Sequence, residues 1–186
     1  MLLARPHEGA VAIPSKSSIF VSKPNALNRE QTLFWDRLRH ILLERGLAPR
    51  TLGETDYPNS APIAGVRRVL DDCDGAIILG MTQLRVSEGV LKADSPSEGT
   101  AAGSLWPTAW NHIEAGMAFM LDLPMLIIRE PGVAGGVFDV GNTDRFVHQA
   151  DLSTGWLESE RFLQPFNEWL DEVWRGRDSE QSALRR

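Results

Sequence analysis

The chain is predicted to be one α/β domain, a three-layer sandwich in which a mostly parallel central sheet carries helices on both faces. Strand-like and helix-like segments alternate along its whole length. Ala76-Ile-Ile-Leu79 and Pro124-Met-Leu-Ile-Ile128 are short, continuously apolar runs between turn residues, the pattern of strands buried on both faces. With 186 residues and 42% hydrophobic content there is material for one core, so a single domain with short tails is expected.

Residues 1–17 mix charges with two prolines and hold no period, so they read as an N-terminal arm, with the domain occupying 18–176 and a polar tail 177–186. Ser18 to Ser22 is a β-rich run closed by the turn chemistry of Lys23-Pro24-Asn25. Leu27, Phe34, Leu38, Ile41 and Leu42 then repeat at helical spacing up to a stop at Gly46. Leu47 to Leu52 is a strand weakened by Pro49, and the polar loop Gly53 to Ala61 ends at Pro62, suited to the first turn of a helix. Ile63, Val66, Val69, Leu70 and Cys73 give that helix its buried face, and Ala76 to Leu79 is the central strand.

Met81 to Pro107 is irregular, an insertion of a length that in compact domains is functional or mobile. It leads into a helix from Trp110, followed by the strand at 124–128. Gly132 to Gly141 reads as a flexible glycine-rich loop without a dinucleotide fingerprint, and Phe146 to Ala150 as an edge strand. A last helix runs from about Glu158 to Arg175, with Phe162, Phe166, Trp169, Leu170, Val173 and Trp174 along one side; its tryptophans serve as core or as a self-association surface.

Composition excludes several classes. A net charge of −6 argues against general nucleic-acid binding, because no broad basic surface is present to neutralise phosphates. No apolar run reaches the ~18 residues a membrane span needs, and no signal-peptide core is visible, so the expected location is the cytoplasm. The lone Cys73 cannot form an internal disulfide, and the four scattered histidines suggest no metal site. No cofactor is expected.

The most informative residue is Glu114. On a wheel of 100° per residue, Trp110, Ile113, Met117 and Leu121 fall in a sector about 80° wide, and Glu114 projects beside it. A carboxylate there needs a partner or a purpose, since burying it unpaired costs several kcal/mol; the plainer reading is a salt-bridged or exposed glutamate on a rotated helix. Trp110 reads as core or as a ring stacked on a ligand, and His112, about 160° from Glu114, as surface. In open parallel sheets ligands sit beyond the carboxyl ends of the strands, so the loops after Ser22, Leu52, Leu79 and Ile128 are expected to meet Glu114 at one cleft. Ser22, Lys23 and Asn25 would hold a ribose or phosphate there, or form a plain turn, and Tyr57 is either an ordinary loop aromatic or a stacking residue.

Phe20-Val21-Ser22 closing the first strand resembles the Phe-Ile-Ser signature of TIR domains. Trp110-Asn-His-Ile-Glu114 resembles their Trp-Cys-x-x-Glu element, with asparagine in the cysteine position. The helix and strand from Ile63 to Leu79 are similar to the segment after the family's BB loop, which places Tyr57 in the counterpart of that loop. Glu114-Ala-Gly-Met-Ala118 also resembles the Glu-x-Gly-x-Ala pattern of nucleoside 2-deoxyribosyltransferase-like proteins. The similarity runs from Ser18 to Ile128 and is nearest to bacterial TIR-like nucleotide-binding proteins of antiphage signalling. It implies a flavodoxin-like fold, cleavage of an N-glycosidic bond by a helical glutamate, and activation by homo-oligomeric assembly.

Leaving-group chemistry narrows the substrate. O-glycoside hydrolysis ordinarily takes two carboxyl groups, one to protonate the leaving oxygen. The nicotinamide of NAD is a cation that departs neutral, so one carboxylate suffices to stabilise or trap the oxocarbenium-like centre. A neutral purine or pyrimidine would need a second acid, for which Asp56 and Asp139 are candidates by loop position only. The leading expectation is therefore a glycohydrolase with NAD as substrate; the alternatives are a nucleoside or deoxynucleotide N-glycosidase or transferase, and a non-catalytic nucleotide-sensing or assembly module.

Overall fold

The computed structural model describes residues 17–184. The expected N-terminal arm lies outside them except for Ser17, which opens the first strand. Five strands form the central sheet: β1 (Ser17–Ser22), β2 (Leu47–Arg50), β3 (Gly75–Gly80), β8 (Met125–Arg129) and β9 (Val147–Gln149), in the order β2-β1-β3-β8-β9 and parallel throughout. The chain steps outward from β1 to β2, then crosses back to lay β3 on the other side of β1. That reversal is the topological switch point of a flavodoxin-like α/β sheet.

Side-chain alternation divides the core in two. Ile19, Val21, Ile77, Leu79, Leu126 and Ile128 face α1 (Arg29–Glu44) and α4 (Glu160–Leu184). Phe20, Ala76, Ile78 and Ile127 face α2 (Pro62–Asp71) and α3 (Ala109–Met120). Ser22 has the parity of Phe20, so its side chain emerges on the side of α3. Local chemistry sets the element ends: Asn28 and Gln31 form a reciprocal capping box on α1, Gly46 follows it at φ +74°, and Pro62 opens α2. Pro49 is tolerated because β2 is an edge strand.

Glycine at the two ends of β3 is a packing requirement. A Cβ on Gly75 would lie 2.7 Å from Val173 Cγ2, and one on Gly80 would lie 2.5 Å from the Phe138 ring. Phe138, fully buried, belongs to a short 3-10 turn in the glycine-rich 132–141 segment, with Val133 buried beside it, so that segment is pinned into the core rather than being the flexible loop expected.

Several expectations change. The 81–107 insertion forms an antiparallel arm in which β4 (Leu84–Arg85) pairs with β7 (Leu105–Trp106) and β5 (Val90–Leu91) pairs with β6 (Gly99–Thr100). The last helix continues to Leu184, through the segment expected as a tail. Trp169 is buried and donates to the Pro124 carbonyl at 3.0 Å, whereas Trp174 is exposed. Cys73 lies just past α2, buried, its Sγ–H directed at the Val69 carbonyl at 3.0 Å, and burial pushes the thiol up to about 12. Ile63, Trp110 and Ile113 are exposed rather than core. On α3 the reason is that apolar residues surround the helix, so the wheel fixes no face; Ala115 and Ala118 admit the close approach that packing against Phe20 and Ile78 requires, and the larger side chains turn outward. No helix among the described residues is long and apolar enough to cross a membrane.

Candidate active site

A cleft of about 220 Å³ opens beyond the carboxyl ends of β1 and β2, walled by α2 and the first turns of α3. Val21, Lys23, Asn25, Thr51, Trp110 and Glu114 are among its lining residues. It lies at the switch point, where such sheets hold their ligands.

Glu114 reaches the cleft because the start of α3 is anchored. Thr108 caps the helix by accepting from the Asn111 N–H at 3.2 Å. The Asn111 side chain, fully buried, uses all its hydrogen-bonding capacity: Oδ1 accepts from the Thr108 N–H at 3.2 Å and the Thr108 hydroxyl at 2.9 Å, and Nδ2 donates to Ser22 Oγ at 2.8 Å and the Leu79 carbonyl at 3.3 Å. A backbone donor at one end and a carbonyl at the other fix which way the amide points. Since Ser22 Oγ accepts from Asn111, its single O–H donates to Glu114 Oε2, at 2.5 Å.

Glu114 is 8% exposed and forms no salt bridge among the described residues. Burial pushes its carboxyl up to about 7, against a smaller downward pull from the Ser22 hydroxyl. Near neutrality it can hold a proton or give one up, the poise a general base or an ion-stabilising carboxylate requires.

Of the other expected site residues, Trp110 lines the cleft at 40% exposure, its indole available to a ligand rather than absorbed in the core. Asn25 lines the same wall. Lys23 does too, but its side chain is 4% exposed, its ammonium pairs with Glu54 Oε2 at 2.9 Å and it lies 5.4 Å from the Trp35 ring centre. Burial pushes the Glu54 carboxyl up, and Lys23, with smaller help from Trp35 and Arg39, more than reverses this, leaving it below its ordinary value. Lys23 is therefore a neutralised wall. Tyr57 is 75% exposed and outside the lining set.

The loops after β1 and β2 meet at the cleft; those after β3 and β8 do not line it. These two are tied to each other and to α1 instead, through Glu130, which accepts from Gln31 Nε2 at 2.7 Å, from the Thr82 N–H at 3.0 Å and from the Thr82 hydroxyl. Neither candidate second acid reaches the site. Asp56 is locked to Arg50 at 2.5 Å, which with Thr55 outweighs burial and lowers its carboxyl, and Asp139 accepts from the Gly135 N–H at 2.7 Å. His112 is half-buried against Phe138, ring centres 5.5 Å apart, rather than a surface residue; burial lowers its pKa and Asp139 opposes this.

Two site residues went unread in the sequence. Asn111 carried a signal, the Thr108-x-x-Asn capping spacing; Thr51 carried none, since it lies one residue beyond a strand end that sequence does not locate. No family model matches the chain, and no curated protein matches it, so the chemistry of this cleft is read from its own residues.

Proposed function

We propose that the chain is a TIR-like NAD glycohydrolase with Glu114 as its essential carboxylate. The observation that carries this reading is the cleft's inventory: Glu114 is the one carboxyl among the lining residues, and the one ionisable neighbour, Lys23, is held by Glu54. Among the described residues, a leaving group that must be protonated has no acid opposite Glu114 in the cleft lining. Nicotinamide needs none.

The bond between the ribose anomeric carbon and the pyridinium nitrogen breaks with its electron pair moving to nitrogen, and nicotinamide leaves neutral. Ionised Glu114 stabilises the positive charge that develops on the sugar. Water then adds to the anomeric carbon and gives its proton to Glu114, yielding ADP-ribose; attack by the adenine of the same molecule gives a cyclic product. A volume of about 220 Å³ is below the roughly 300–1,000 Å³ that encloses a drug-sized ligand, so the cleft suits one nucleoside unit, with the rest of the dinucleotide crossing the rim near Trp110.

The test compares nicotinamide release by the native chain and Glu114→Gln over a range of protein concentrations, because the resemblance implies activation by self-assembly. We expect a loss of about 100-fold or more. Equal turnover overturns the assignment. Release of purine or pyrimidine from a nucleoside panel, with no nicotinamide from NAD, transfers the cleft to the N-glycosidase or deoxyribosyltransferase class.

A further inference from the structure

The outer face of α3 carries no charge. Its exposed residues are Ala109, Trp110, Ile113, Gly116, Phe119 and Met120, and the one carboxylate of the helix, Glu114, is turned inward. In a chain of which 24% is charged, a bare face on an exposed helix calls for a cover. At 100° per residue Ala109, Ile113, Gly116 and Met120 fall within about 60°, opposite the buried set of Asn111, Glu114, Ala115 and Ala118. They stand four, three and four positions apart, the spacing of a two-helix seam.

The order of sizes along this seam identifies the cover. Small, large, small, large is complementary to its own reverse. Laid antiparallel about a two-fold axis midway between Ile113 and Gly116, two copies of α3 set Ala109 against Met120 and Ile113 against Gly116, so every layer joins one small residue to one large one. A parallel pair sets like against like and alternates voids with overfilled layers. Nothing lies within 4 Å of a Cβ built on Gly116, so the space above it is open to an incoming isoleucine. Trp110, Ile113, Phe119 and Met120 are between 39% and 78% exposed, which with the two small residues comes to roughly 500 Å² per copy, or about the 1,000 Å² in total that a specific interface must clear.

We propose that the outer face of α3 pairs with the same face of a second copy of this chain, forming a closed two-fold dimer. The pairing stands on α3 alone, whatever the cleft cleaves. Because each copy uses the one face, assembly stops at two. An area at the lower limit makes the dimer reversible, with a dissociation constant in the micromolar range or above. On one flank of the seam Met117 of the second copy comes beside Trp110, which lines the cleft, so both copies build the rim of each cleft.

Sedimentation velocity of the full chain, from low micromolar to near-millimolar concentration, reads the pairing, with a thermal melt of each variant to verify its fold. The native chain is expected to pass from monomer to dimer and to stop there. Ile113→Glu places a charge in the central layer and should weaken association about 100-fold or more; the residue is exposed, so the dilute variant should melt near the native chain. Ala109→Glu and Met120→Lys test the register. The two positions are eleven apart on one helix, too far to touch, yet the antiparallel pair sets each against the other across the seam. Each alone should weaken the dimer about tenfold, and the double variant should recover most of that loss. If Ile113→Glu fails to fold, this charge pair decides alone. A native chain that stays monomeric throughout overturns the proposal and leaves the face to a different protein. A dimer indifferent to Ile113→Glu overturns it too, as do single losses that the double variant compounds rather than repairs.

Discussion

At the scale of the residue, Glu114 joins a cost in stability to a capacity for chemistry. Its folded pKa of about 7 lies above its ordinary 4.5, so between those values the native state holds a proton that the unfolded chain releases. The stability this proton confers is complete below pH 4.5 and is lost as pH rises through 7, a difference of about 3 kcal/mol. Glu114→Gln keeps an oxygen for the Ser22 hydroxyl and removes the charge. We expect the variant to exceed the native chain in stability by up to about 3 kcal/mol at pH 8, and the gap to close towards pH 4.5, in urea denaturation at each pH. A gap independent of pH would show that the carboxyl is not perturbed by burial. The glutamate itself was legible in the sequence as a charge beside an apolar stripe. Its partner was not, because Ser22 and Glu114 are 92 positions apart and only the packing of α3 on β1 brings them together.

At the scale of the element, strands were easier to read than helix faces. Val66, Val69 and Leu70 of α2 lie inward as their spacing requires, because polar residues mark the opposite side. On α3 nearly every residue is apolar or small, and the buried set Asn111, Glu114, Ala115 and Ala118 was chosen by fit to the sheet rather than by hydrophobicity. Two glycines measure that fit. Gly80→Ala would push a methyl group to 2.5 Å from the Phe138 ring, and we expect a loss of about 1–3 kcal/mol in thermal or denaturant unfolding. Gly116→Ala, on α3 with open space around it, should instead gain about 0.5–1 kcal/mol from its backbone alone. Equal effects at the two positions would refute the packing requirement that Phe138 places on Gly80.

At the scale of the whole molecule, the alternation of strands and helices predicted the layers, whereas the order β2-β1-β3-β8-β9 was not legible, because right-handed crossovers permit the reversal at more than one strand. The arm was not legible, since two-residue ladders leave no hydrophobic period and Leu84, Val90 and Leu91 are exposed. Leu105 of β7 packs against the α2–α3 half of the core, but the outer ladder of β5 and β6 is exposed and should contribute little to the stability of the sheet. Replacing Val90 to Thr100 by a two-residue Asn-Gly turn between Gly89 and Ala101, which already share a backbone hydrogen bond of 2.9 Å, is expected to change unfolding free energy by no more than about 1 kcal/mol. A larger loss in calorimetry would make this outer ladder part of the fold.

The fully occupied amide of Asn111 makes the interior side of Glu114 a blind alley for protons. Ser22 can hand a proton on only if it receives another, and an amide donor that already bonds Ser22 and Leu79 has none to release. Traffic in protons at Glu114 therefore passes through the mouth of the cleft. An occupant that fills this mouth seals the carboxyl in the charge state it had on arrival, so the first productive encounter is selected by the protonation of the empty protein.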